Sequence, residues 1–257
     1  MIVGEHLGHR QIGLPDRIRA CLFDLDVVLI QSAAIHAAAW KSILDRFLEE
    51  HARDHGIPFV PFDVVEEYPK YVEGVTRDRG LRQFLAARGI TLPDDTRDEQ
   101  RSGHTVARLA RDKTELALTL LREHEVAPYS GSLQYINALR AAGIRSAVVS
   151  ASEHARVALD MARITHLFDE RLDGGDADRM DLDGQPVPDM LLALARALWL
   201  FADEVAVFEV APAGVTAARH GAFGYVVGVD RRGRPELLHE HGADVVVSDL
   251  SDLLRAG

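Results

Sequence analysis

Three carboxylates stand where chemistry is easiest to arrange: Asp24 and Asp26, one residue apart in the run ACLFDLDVVLI, and Glu209 at the end of VAVFE. Carboxylates crowded without a strongly bound cation repel one another. At least one is therefore expected to hold its proton above the ordinary range and to suit acid/base work. A DxD pair taken alone also describes the polar end of a strand, so its meaning depends on its surroundings. Ser150, in VVSAS, reads two ways: an oxygen for a ligand, or a strand-end serine that caps the following helix. Arg77, His36 and His154 offer groups suited to an anionic ligand, although an arginine outside any motif is usually solvated.

These groups need elements to hold them. The run from Arg19 to Ile30 has the continuous apolar character of a strand buried on both faces of a parallel sheet, ending where the aspartates emerge. From Ala33 to His51 the period is helical, with Ile35, Trp40, Ile43, Leu44 and Phe47 on one stripe, until Pro58 and Pro61 interrupt it. Further helical patterns run over Arg79–Arg88 and Thr105–His124, with no comparable strand signal between them. After Pro128 helix and strand alternate. Helices are expected at Ser132–Ala142, Glu153–Ala162, Asp189–Leu200 and Gly214–His220; strands at Ser146–Ser150, Val205–Phe208, Gly224–Val229 and Val245–Ser248. One strand, a block of helices and then βα units imply a doubly wound, Rossmann-like parallel sheet of α/β class with an inserted helical cap. The core covers 1–32 and 127–257 and the cap 33–126. Ligand groups of open α/β sheets gather at the carboxyl ends of strands, so Asp24, Ser150 and Glu209 are expected to be neighbours.

FDLDVVLIQSAAIHAAAW (Phe23–Trp40), VVSAS (Val148–Ser152), GQPVPD (Gly184–Asp189) and VFEVAPAGVTAARHGAFGYVVGVDR (Val207–Arg231) occur in the order and spacing of a known motif set. Together they resemble the haloacid dehalogenase superfamily over nearly the whole chain. GVTR at Gly74–Arg77 and His36 are similar to cap features of its β-phosphoglucomutase branch. The resemblance implies an aspartyl-phosphate on Asp24, proton transfer by Asp26, and phosphate held by Ser150, the Ala151 amide, Arg77 and His36. It also implies Mg2+ on Asp24, the Asp26 carbonyl and Glu209, with a phosphorylated sugar or similar small anion as ligand in a cleft under the cap.

Several positions depart from the family pattern. Gln185 stands where a lysine normally neutralises the phosphoryl group, Val210 where a second acid normally binds metal, and Val27 where a glycine is usual. Glutamine donates a hydrogen bond but supplies no charge, and valine has no ligand atom. A β-branched residue resists positive φ, so Val27 must rebuild the loop or displace the aspartates. Mg2+ binding and ordinary phosphoryl transfer are accordingly expected to be weak or lost. Two alternatives stay open: a repurposed, metal-independent acid/base enzyme, and a non-catalytic pseudoenzyme with a regulatory or partner-binding role.

The composition narrows partners. A formal net charge of -11 disfavours general attraction to nucleic acid or anionic lipid. The single cysteine, Cys21, allows no internal disulfide and is expected in the core. No uncharged run approaches membrane-spanning length and the N-terminus lacks a signal-like stretch, so cytoplasmic residence is expected.

Overall fold

The computed structural model describes residues 8–72, 77–93, 104–124, 126–231 and 233–255. In chain order the main elements begin with β1 (Ala20–Asp24), α1 (Ala33–His55), α2 (Arg77–Ala87), α3 (Val106–Glu123), α4 (Ser130–Ala141) and β2 (Arg145–Val149). They continue with α5 (Ala155–Met161), β3 (Glu170–Leu172), α6 (Gly174–Met180), α7 (Asp189–Ala197) and β4 (Val205–Glu209). The last are α8 (Pro212–His220), β5 (Tyr225–Val229), α9 (Pro235–Glu240) and β6 (Val245–Val247). The chain divides into two compact units, Met1–Gln31 with Val126–Gly257, and Ser32–Glu125.

The first unit is built on a six-stranded sheet in the order β3-β2-β1-β4-β5-β6, with every pairing parallel. Its central strands are buried on both faces, which is why their sequences are continuously apolar rather than alternating. On one face Ala20, Leu22, Ala147, Val149, Val205 and Val207 pack against Leu191 and Leu194 of α7 and Val215 of α8. On the other, Phe23 stacks on Phe208 with ring centroids 4.5 Å apart and meets Tyr135 of α4 edge-on at 6.5 Å. Cys21 is buried, and lost hydration pushes its thiol well above the usual range, so it packs as a small apolar group. The switch in strand order lies between β1 and β4, the position at which open sheets leave a crevice for ligands.

The second unit is helical among its described residues. Trp40, Ile43, Leu44, Phe47 and Leu48 of α1 pack with Leu81, Phe84 and Leu85 of α2 and with Val106 and Leu109 of α3. Thr105 starts α3 by accepting a hydrogen bond from the Arg108 amide at 3.1 Å. Gly56 ends α1 in the left-handed conformation at φ 64°. Ile35, expected on the buried stripe of α1, is only half-buried, and the stripe begins at Ala39.

The run Arg19–Ile30 does not continue as strand past Asp24. Leu25–Ile30 turns back on itself: the Val27 amide donates to the Ile30 carbonyl at 3.0 Å and the Leu29 amide to the Leu25 carbonyl at 3.0 Å. β3 and the helices α6 and α9 were not foreseen. β3 is a three-residue edge strand, Glu-Arg-Leu, too short and too charged to show the apolar signature of its neighbours.

Candidate active site

Parallel register fixes the relation of the core residues. Asp24 is level with Val149 of β2, so Ser150 follows one residue beyond; Phe23 is level with Phe208, which sets Glu209 alongside Asp24. Neighbouring strands lie ~4.8 Å apart, so Ser150, Asp24 and Glu209 occupy one sheet edge at the carboxyl ends of β2, β1 and β4. Asp26 sits two residues past Asp24, bridged to Ile30 by backbone pairing.

The loop after Asp24 keeps a glycine-like shape without a glycine. Val27 has φ 69°, in the left-handed region that a β-branched side chain resists, and its side chain is nonetheless buried. Val27 was expected to rebuild the loop or displace the aspartates; instead residue 27 itself takes up the left-handed conformation, under strain. It persists because the surrounding backbone is tied down: Ser132 Oγ donates to the Val28 carbonyl at 2.6 Å, and the Tyr129 amide to the Leu29 carbonyl at 2.9 Å.

Ser150 is buried, and its hydroxyl accepts from the Ser152 amide at 3.1 Å, while its own amide donates to the Leu172 carbonyl at 3.1 Å. Ala151, between them, is exposed. The loop lies against Gly174, where a Cβ would fall 2.4 Å from the Ala151 carbonyl oxygen, so only glycine allows this approach. Ser150 thus stabilises its own turn. His154 is the N-cap residue of α5, with no side-chain cap bond.

Glu209 and Gln185 form a pair. Gln185 Nε2 donates to Glu209 Oε1 at 2.8 Å, and Glu209 Oε2 is buried without a hydrogen-bond partner among the described residues. The carboxyl group is seated against the first turn of α8, where a Cβ on Gly214 would fall 2.2 Å from it. Burial pushes its pKa from 4.5 up to about 8, against the smaller opposing effects of the Val210 amide and Gln185. A raised carboxyl was expected from mutual repulsion of Asp24, Asp26 and Glu209; the raised group is Glu209, and the dominant cause is lost hydration. Near neutral pH the pair Gln185–Glu209 is therefore mostly uncharged.

The expected metal set is Asp24, the Asp26 carbonyl and Glu209, two side chains and one backbone oxygen. Among the described residues no group of three or more His, Cys, Asp or Glu side chains is arranged to hold a metal ion. Val210 contributes no donor, and the Glu209 carboxyl is engaged by Gln185.

The cap unit carries its own polar cluster. Arg77 opens α2 and donates to Thr114 Oγ1 of α3; Gly74–Thr76, the rest of GVTR, lie outside the described residues. Next to Thr114, Lys113 is buried, with its ammonium 3.1 Å from His36 Nδ1 and 5.4 Å from the Trp40 ring centroid. An ammonium only donates, so His36 Nδ1 accepts and the ring carries its proton on Nε2. Sequence reasoning missed Lys113. The signal was there: with Val106, Leu109, Ala110, Ala117 and Leu121 it falls on the buried stripe of α3, a costly place for a lysine without a purpose.

The sheet order, the switch-point carboxylates and the inserted helical unit define a recognisable class. The family described as haloacid dehalogenase-like hydrolase matches residues 18–221, and the chain belongs to it. Within that family it falls in the β-phosphoglucomutase-like branch. A β-phosphoglucomutase of Mycobacterium bovis is 42% identical over 248 residues, covering 95% of each chain. One from Bacillus subtilis is 28% identical over 236 residues, covering 92% of each. Among solved structures, β-phosphoglucomutase from Clostridium difficile superposes with a TM-score of 0.73 at 23% identity, covering 92% of this chain and 93% of that one. CbbY from Rhodobacter sphaeroides, solved with phosphate, gives 0.69 at 23% identity, covering 92% and 96%.

Proposed function

We propose that the protein binds a phosphorylated sugar or closely related anion and that its Mg2+-dependent phosphoryl transfer is weak. The observation that carries this reading is the Gln185–Glu209 pair: an amide hydrogen-bonded at 2.8 Å to a buried carboxyl, whose pKa burial pushes up to about 8. Phosphoryl transfer needs positive charge against the equatorial oxygens, and a site that offers an amide and a protonated carboxyl supplies little. The donor set does not suit tight Mg2+ binding. Octahedral oxygen coordination would draw on Asp24, a backbone carbonyl and water, with Val210 silent and Glu209 neutral.

In this reading Asp24 is the attacking carboxylate and Asp26 the proton-transfer group. Ser150 and the exposed Ala151 turn serve the phosphate, and Arg77, His36 and Lys113 furnish the cap's anion-binding groups. The parallel loss of a lysine and an acid leaves the local charge less disturbed than either change would alone. A second reading, ordinary phosphomutase activity, is favoured by the 42% identical β-phosphoglucomutase.

A phosphosugar panel with Mg2+ separates the two. The expected result is turnover at least ~100-fold below that of a Gln185→Lys/Val210→Asp variant, in line with the loss of one electrostatic group at a transition state. Robust wild-type turnover that Asp24→Asn abolishes would overturn the proposal in favour of the second reading. Turnover that survives a chelator would instead indicate metal-independent acid/base chemistry.

A further inference from the structure

The strained loop between β1 and the cap has a holder that no catalytic role accounts for. Arg231 follows β5, two strands over from β1, and its guanidinium reaches back to the loop after β1: Nε donates to the Val27 carbonyl at 2.9 Å. Nη1 donates to the Ser248 carbonyl at 3.1 Å and to Asp249 Oδ2 at 3.2 Å. The guanidinium carbon lies 3.6 Å from the centroid of the Tyr129 ring. Tyr129 is itself fastened to the loop, its amide donating to the Leu29 carbonyl. The carbonyl that Arg231 holds is that of residue 27, whose φ is 69°.

From this convergence we propose that Arg231 is a positioning residue, which clamps the Val27 carbonyl and so holds the Asp24–Asp26 loop in a shape that Val27 resists. The proposal rests on the reading of Asp24 and Asp26 as the reacting groups. A planar, multiply hydrogen-bonded guanidinium stacked on an aromatic ring has little freedom of its own, so it fixes its partner carbonyl in place. Glycine at position 27 adopts positive φ without strain and has no need of a clamp. Arg231 and Val27 are therefore coupled: the arginine matters because of the valine.

A double-mutant cycle read by site-resolved amide exchange tests this. Arg231→Met is expected to accelerate exchange of the Val27 and Ile30 amides on the order of 10- to 100-fold, with amides of β4 unchanged. In a Val27→Gly background the same substitution is expected to change the residue 27 amide by less than about threefold. Equal acceleration in both backgrounds, or none in the first, would overturn the proposal. Where Arg231→Met does not fold, Arg231→Lys replaces it in the same cycle: a charge and a single donor nitrogen remain, the acceleration is smaller, and its loss in the Val27→Gly background is still required. Exchange does not depend on turnover, so a silent phosphosugar assay leaves this result standing. If turnover is detected, kcat falls in Arg231→Met with KM little changed, and recovers in the double variant; a drop that Val27→Gly does not restore contradicts positioning through residue 27.

Discussion

Replacing Glu209 by glutamine removes a buried proton-binding group while keeping its shape. The Gln185 amide can reverse to accept where it formerly donated. In the folded chain Glu209 holds its proton up to about pH 8, whereas the reference carboxyl loses it at 4.5. Between those values the folded state binds more protons than the unfolded one, so stability falls as pH rises, by up to ~1.4 kcal/mol per unit. The contribution is fully present below about 4.5 and lost by about pH 8. Across the interval it amounts to roughly 4–5 kcal/mol, a large part of the ~5–15 kcal/mol typical of a domain. Urea unfolding of wild type and Glu209→Gln at pH 5, 6, 7 and 8 isolates it, because every other titrating group cancels in the difference. The two proteins are expected to lie within ~1 kcal/mol of each other at pH 5, and the variant to be more stable by ~3–5 kcal/mol at pH 8. Parallel pH profiles would show that Glu209 is ionised in the folded chain and refute the neutral pair.

Two further outcomes follow from the same packing. Gly214→Ala puts a methyl within 2.2 Å of the Glu209 carboxyl and is expected to destabilise by ~1–3 kcal/mol, falling below ~1 kcal/mol in a Glu209→Ala background; equal losses in both backgrounds by urea unfolding would contradict that seat. Lys113→Met removes the donor to His36 Nδ1 and is expected to alter stability by under ~1.5 kcal/mol, since a lost charge-assisted bond offsets a relieved desolvation cost. Its signature is in the ring: nitrogen NMR should show His36 almost wholly protonated on Nε2 in wild type and as mixed tautomers in the variant, and an unchanged ring would refute the Lys113 contact.

How far the residues announced this arrangement depends on which physical signal each carried. β1 and β4 are plain because strands buried on both faces are unbroken apolar runs, and the carboxyl-end rule for open sheets then places Asp24, Ser150 and Glu209 together, as the strand register does. β3 escaped because an edge strand of three residues has no such run. Helix α6 escaped because Gly174 and Gly175 open it and weaken its helical signal, although Asp173 supplies a full capping box with Asp176. At the site, the loss of a lysine and an acid was visible at Gln185 and Val210. What a linear chain does not display is that Gln185 and Glu209 meet, and that burial rather than repulsion raises the carboxyl's pKa. Val27 signals a conflict, but one of the contacts that hold its loop comes from Arg231, a residue 204 positions away whose partner is a backbone carbonyl.

Cation binding beside Asp24 is read out by calorimetric titration of the purified chain with Mg2+, with and without beryllofluoride as a phosphoryl mimic. Wild type is expected to give little or no heat at Mg2+ concentrations that saturate the Gln185→Lys/Val210→Asp variant, and no enhancement by beryllofluoride. Stoichiometric wild-type binding of Mg2+ that beryllofluoride tightens and Asp24→Asn removes would contradict that expectation.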